Sequence, residues 1–213
     1  SDVSNEADWT AWQNNASYTV DVANYPSKVA DLKVYVQVID KAGNIQTSTD
    51  ALAKDVKFDT EAPVLNITQA GDSYAQNITV TASATNKSVG ITGNFTYQFI
   101  SNNSELTAEV LNAEENWKAG QYGFTEVNAA GNATYTANQN GFVYVRVKDA
   151  LGNTSEVKSV EVTKIDRTAP QISINVIGDT LAGQNTNVFK SAKLTVTMTD
   201  AQSGVDTTAN KHT

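Results

Sequence analysis

The 213 residues include no cysteine, a single histidine, a single methionine and three prolines. Without cysteine there is no disulfide, no thiol nucleophile and no thiolate metal site. Every folded unit must therefore hold by apolar packing, and 40% hydrophobic content over this length supports about two domains with their own cores. The lone histidine, His212, sits between Lys211 and Thr213, a place for a solvated side chain rather than a general base. No G-x-S-x-G elbow, H-E-x-x-H helix or glycine-rich phosphate loop is present. No apolar run approaches the roughly 20 residues that a membrane-crossing helix needs. Basic residues are also scarce: 15 Lys and Arg stand against 23 Asp and Glu, for a net charge of −8. That balance argues against nucleic acid or anionic lipid as partner and serves solubility.

What the chain has is a repeat. Val34, Val36 and Val38 alternate with Tyr35, Gln37 and Ile39, and Asp40-Lys41-Ala42-Gly43-Asn44 follows. Val143, Val145 and Val147 alternate with Tyr144, Arg146 and Lys148, and Asp149-Ala150-Leu151-Gly152-Asn153 follows. The spacing is 109 residues (34 to 143), and Pro63 and Pro170 are 107 apart. A period of this size means tandem domains. Period-two alternation predicts a strand with the valines on a buried face and, in the second copy, Arg146 and Lys148 on the outward face. Gly and Asn suit the left-handed backbone of a tight hairpin. A second strand follows, at Val56 and Phe58 in one copy and Val160 and Val162 in the other. Asp59-Thr60-Glu61-Ala62-Pro63 and Asp166-Arg167-Thr168-Ala169-Pro170 then close each copy. Proline ends the ladder there, and the residue before it favours extended backbone. Leu65 and Ile67, and likewise Ile172 and Ile174, begin a new strand.

The order strand, Asp-x-x-Gly-Asn, strand, Asp-x-x-Ala-Pro resembles the end of a bacterial immunoglobulin-like domain, found in tandem arrays on surface and secreted proteins. The resemblance implies an all-β fold of tandem antiparallel β-sandwiches, one complete and two partial. Residues 1–60 would be the C-terminal part of one unit, 61–166 a complete unit and 167–213 the N-terminal part of a third. In the complete unit we expect strands at Val64–Thr68, Ile78–Thr85, Phe95–Ile100, Thr134–Ala137, Phe142–Lys148 and Val157–Ile165, with a seventh from the polar middle. Ser104 is expected to cap a short helix over 105–112. Tyr18, Val20 and Val22 predict a strand in the first part. Leu194, Val196 and Met198 predict one in the last, ended by Asp200-Ala201-Gln202-Ser203-Gly204.

Ser1 falls inside a repeat, so the sequence reads as a segment of a longer array. The half-units at its two ends are completed either by flanking chain or head to tail by another copy.

Carboxylates near the linkers form the first candidate site. In such a sandwich Asp149 lies near Asp59 and Glu61, with Asn86 close, and the next linker brings Asp166 toward Asp200. Two chemistries fit: hard oxygens that hold Ca²⁺ and stiffen the array, or aspartates that accept backbone N–H groups in their own turns. The second candidate is aromatic. Trp9, Trp12, Trp117, Tyr122 and Phe124 suit a sugar-binding platform or core packing. Trp9 and Trp117 share a repeat position, whereas Trp12 has no counterpart, so Trp12 and Tyr122 are the ligand candidates. Eight N-x-S/T sequons, among them those of Asn66, Asn77 and Asn132, follow from Asn- and Thr-rich turns.

No catalytic set emerges, and no cofactor is expected apart from Ca²⁺. The resemblance implies a non-enzymatic spacer or adhesion stalk of a cell-surface or secreted protein, its partners the neighbouring immunoglobulin-like domains. The alternatives are a module binding a host or cell-surface glycan or protein, and an accessory segment of a large polysaccharide-active enzyme.

Overall fold

The computed structural model describes residues 17, 19, 29–49, 52–86, 92–180, 183 and 189–208. The strand expected at Tyr18, Val20 and Val22, the residues Trp9 and Trp12, and His212 lie outside the described residues. The described chain is mostly β-strand in several antiparallel sheets, with one five-residue helix.

Seven strands build the middle of the molecule: β5 (Val64–Gln69), β6 (Ile78–Thr85), β7 (Phe95–Asn102), β8 (Thr125–Ala129), β9 (Ala133–Ala137), β10 (Gly141–Lys148) and β11 (Lys158–Val162). One sheet has the order β5-β6-β9, the other β11-β10-β7-β8. Alternation explains the shared core. Leu65, Ile78, Val80, Ala82, Ala133 and Ala137 from the first sheet meet Tyr97, Phe99, Val143, Val145, Val147 and Val162 from the second. Val80, Val145, Val147 and Val162 are wholly buried, each contributing roughly 1.5–3 kcal/mol of transfer free energy. Phe99 stacks on Tyr135 across the sheets at 5.6 Å. Residues 78–85 form a strand with the expected limits, and the polar middle supplies the seventh strand, β8. The last expected strand is shorter than 157–165. After Val162 the backbone leaves the ladder, and Ile165 pairs instead with Ala75 and with the side chain of Asn140, which bonds both its N–H and its carbonyl.

The outer face of the four-stranded sheet is covered, contrary to the expectation that Arg146 and Lys148 face water. The 22-residue connection from β7 to β8, residues 103–124, folds across it. Ile100, Trp117 and Tyr144 are buried there, with Leu106, Leu111, Tyr122, Phe124, Phe142 and Val157 packed around them. The connection contains helix α1 (Ala108–Asn112), three residues shorter than 105–112, and a 3-10 turn over Glu114–Asn116. Thr107, not Ser104, caps it, accepting from the Val110 N–H. Ser104 is engaged elsewhere, its carbonyl and hydroxyl both accepting from the Asn102 side chain.

Before this core lie β1 (Val29–Val34), β2 (Gln37–Ile39), β3 (Ile45–Thr47) and β4 (Lys54–Asp59), with β1 paired to β4 and β2 to β3. The single strand expected over Val34–Val38 is split at Tyr35 and Val36. At the break the Ser48 hydroxyl accepts the Val36 N–H and the Ser48 N–H donates to the Val36 carbonyl. Ser155 does the same to Val147 in the second copy. Val36 and Val38 are 56% and 61% exposed, so they do not repeat the burial of Val145 and Val147. Among the described residues no second sheet lies over them.

After the core come β12 (Gln171–Thr180) and β13 (Phe189–Thr199), an antiparallel pair. It reproduces β5 and β6 register for register. Val64 pairs with Thr85, Leu65 with Ala84 and Ile67 with Ala82; Gln171 pairs with Thr199, Ile172 with Met198 and Ile174 with Val196.

Candidate functional site

Both Asp-x-x-Gly-Asn turns use the carboxylate in one way. Asp149 Oδ1 accepts the N–H groups of Leu151 and Asn153, each at 2.9 Å, and its Oδ2 accepts from Asn153 Nδ2. Asp40 Oδ1 accepts from Ala42 and Asn44, and its Oδ2 from Asn44 Nδ2. The glycine between takes φ of +90° in one turn and +92° in the other, the left-handed region that favours glycine. Asn44, chiefly through its side chain, holds the Asp40 carboxyl below its ordinary range.

The turns meet the linkers. Asn153 Nδ2 also donates to the Asp59 carbonyl at 3.1 Å, so the second-copy hairpin grips the exit of the first. Asp59 Oδ1 in turn accepts from the Glu61 N–H. Asp149 and Asp59 are both buried, as is Pro63. The Asn153 amide thus links Asp149 to the Asp59 segment. The Asn86 side-chain oxygen is buried without a hydrogen-bond partner.

The second linker repeats the device. Asp166 Oδ1 accepts from Thr168, as Asp59 does from Glu61. Its Oδ2 accepts the Ser203 N–H at 3.0 Å, and Asp200 Oδ1 accepts the same N–H at 2.8 Å. Asp200 Oδ1 also takes Gln202 and Gly204. Two carboxylates thus converge on one donor, as the sequence suggested. The Ser203 hydroxyl, then the Thr168 N–H, keep the Asp166 carboxyl below its ordinary value. Among the described residues no three His, Cys, Asp or Glu side chains come together as a metal would require, and Ca²⁺ takes about six to eight oxygens.

A polar network unforeseen from the sequence lies on the outer sheet face. Arg146, only 4% exposed, forks onto Glu114 through both terminal nitrogens, at 2.5 and 2.7 Å. Its Nε donates to Gln98, and Gln98 donates to Glu126. The guanidinium stacks 4.5 Å above the Trp117 ring, a cation–π contact. The Arg146 hydrogen bonds push the Glu114 carboxyl below its ordinary value. The signal for this network was an arginine among alternating valines; its partners, 32 and 48 residues earlier, could not be read from local pattern.

Trp117 is a core residue, its indole N–H bonded to the Leu111 carbonyl. Tyr122 is half-buried against the same cluster with φ of +42°, and its carbonyl accepts the Ser101 N–H. A cavity beside Ser101, Tyr135 and Asn140 has a volume of about 10 Å³, room for one water. Among the described residues no helix is long and apolar enough to cross a membrane.

No protein-family model matches the chain, and no curated protein and no solved structure matches it significantly.

Proposed function

We propose that the chain is a run of tandem immunoglobulin-like units from a bacterial surface or secreted protein, acting as a non-catalytic spacer or adhesion stalk. Three strands in the order β5-β6-β9 facing four in the order β11-β10-β7-β8 match the A-B-E and G-F-C-C′ arrangement of an immunoglobulin-like sandwich. The observation that carries the reading is the second start. Directly after an Asp-x-x-Ala-Pro linker, β12 and β13 repeat the register of β5 and β6. A chain that begins the same hairpin again after the same turn is an array of modules.

The reading assigns a mechanical role to the aspartates. Asp59 and Asp166 each fix a linker by accepting the N–H two residues on. Asn153 ties hairpin to linker across the first junction, and Asp166 with Ser203 does so across the second. Such contacts resist bending between modules, and stiffness in an array follows from linker length and junction packing.

Single-molecule stretching tests this. The segment β5 to β11 should unfold as one event that lengthens the tether by about 300 Å, given about 3.4 Å per extended residue. One event involving the whole chain at once would refute the modular reading.

A further inference from the structure

We infer that residues 164–166, where the chain leaves the middle unit, form a force-bearing clasp, and that Asn140 is the side chain that fastens it. The inference rests on the array reading, because only a chain tied into an array carries tension at both of its linkers.

The ladder between β10 and β11 ends at the pair Gly141 and Val162. The residues beyond it are held by two turns instead. In the turn before β10, Asn140 Oδ1 accepts the Ile165 N–H at 2.8 Å, and Asn140 Nδ2 donates to the Ile165 carbonyl at 2.9 Å. In the connection between β5 and β6, the Ala75 N–H donates to the Lys164 carbonyl at 2.9 Å, and the Ala75 carbonyl accepts the Asp166 N–H at 3.0 Å. The Lys164 ammonium lies 5.1 Å from the centre of the Tyr74 ring, and the Ile165 side chain is buried in the shared core. Four hydrogen bonds thus close on three consecutive residues. One turn leads into the four-stranded sheet and the other into the three-stranded sheet, so the exit is tied to both layers. Gly141 lets Asn140 reach: its φ is +142°, and a Cβ there would run into the Asn102 backbone.

The direction of load follows from the strand order. β5 starts at the first linker, and the hairpin after β10 touches that linker through Asn153. β11 runs antiparallel to β10, so it leads away from that end and delivers residues 164–166 to the opposite one. Tension between the linkers therefore pulls these residues lengthwise past Asn140 and Ala75. Bonds lying across the pull are loaded together rather than one after another, and forced unfolding is governed by the barrier to breaking them.

Stretching single molecules in two geometries tests this. The chain has no cysteine, so introduced cysteines serve as handles. Handles at the two chain ends load the clasp. Handles at the first end and at the exposed Leu151 pull on the entry side and leave residues 164–166 slack. In the first geometry Asn140→Ala should shift the β5 to β11 unfolding event to lower force and leave its length unchanged. Asn140→Asp keeps the acceptor for the Ile165 N–H and loses the donor to the Ile165 carbonyl, so its force should fall between the two. In the second geometry all three chains should unfold at one force. An unchanged force in the first geometry, or an equal loss in both, would overturn the clasp, the latter because a merely structural role weakens the unit in every direction. If the unaltered chain shows no separate β5 to β11 event, the array reading itself fails and the clasp goes with it.

Discussion

Asp149 offers one carboxylate oxygen to two backbone N–H groups and the other to an asparagine that reaches the preceding linker. Because Asp149 is buried, its replacement strands those donors. Asp149→Ala should cost about 1–3 kcal/mol, read as a lower urea midpoint. The same carboxylates decide the metal question. If they are turn residues, calorimetry with Ca²⁺ gives no heat and an unchanged Tm; a rise in Tm abolished by Asp166→Asn would assign a cation to the second linker instead. Lys148 shows how position overrides pattern. Its ammonium lies 3.9 Å from a Glu114 oxygen, so Lys148→Glu sets like charges together under the crossover. That variant should lower the urea midpoint measurably, although less than Val145→Asp, which buries an unpaired charge between the sheets.

The connection from β7 to β8 is the element with the most to lose. Trp117 and the Arg146–Glu114 ion pair help fasten it to the sheet, beside Leu106, Leu111, Tyr122 and Phe124. Trp117→Ala should cost about 3–5 kcal/mol, the range for large aromatic truncations in cores, and loosen residues 103–124 in hydrogen exchange. The ion pair adds a pH dependence of known sign. Glu114 has its folded value held below the ordinary 4.5. It therefore stabilises the folded state fully above 4.5 and loses that contribution as pH falls through the lower folded value. The gap in urea midpoint between the unaltered chain and Glu114→Gln should be present at neutral pH and shrink as pH falls below 4.5. A constant gap would mean that the pair contributes through packing alone.

Among the described residues the core shared by β5 to β11 is closed, while Val36, Val38 and the β12 and β13 face are exposed. That core should carry the cooperative unfolding transition.

Residue order alone determined most strand positions from β5 to β11 and both hairpin turns, because alternation and Gly-Asn act over a few neighbouring residues. It also placed Asp149 beside the Asp59 segment and Asp166 beside Asp200, since repeat spacing and sheet topology fix which loops share an end. Tertiary structure decided the remainder. The outer face of the four-stranded sheet reads as solvent-facing from its Arg and Lys, yet a distant crossover covers it and makes Arg146 a buried partner of Glu114 and Trp117. Val36 and Val38 read as core by the same alternation, yet they are exposed, and among the described residues no sheet opposes them. Alternation sets which way a side chain points; only the packing of remote segments sets what it meets.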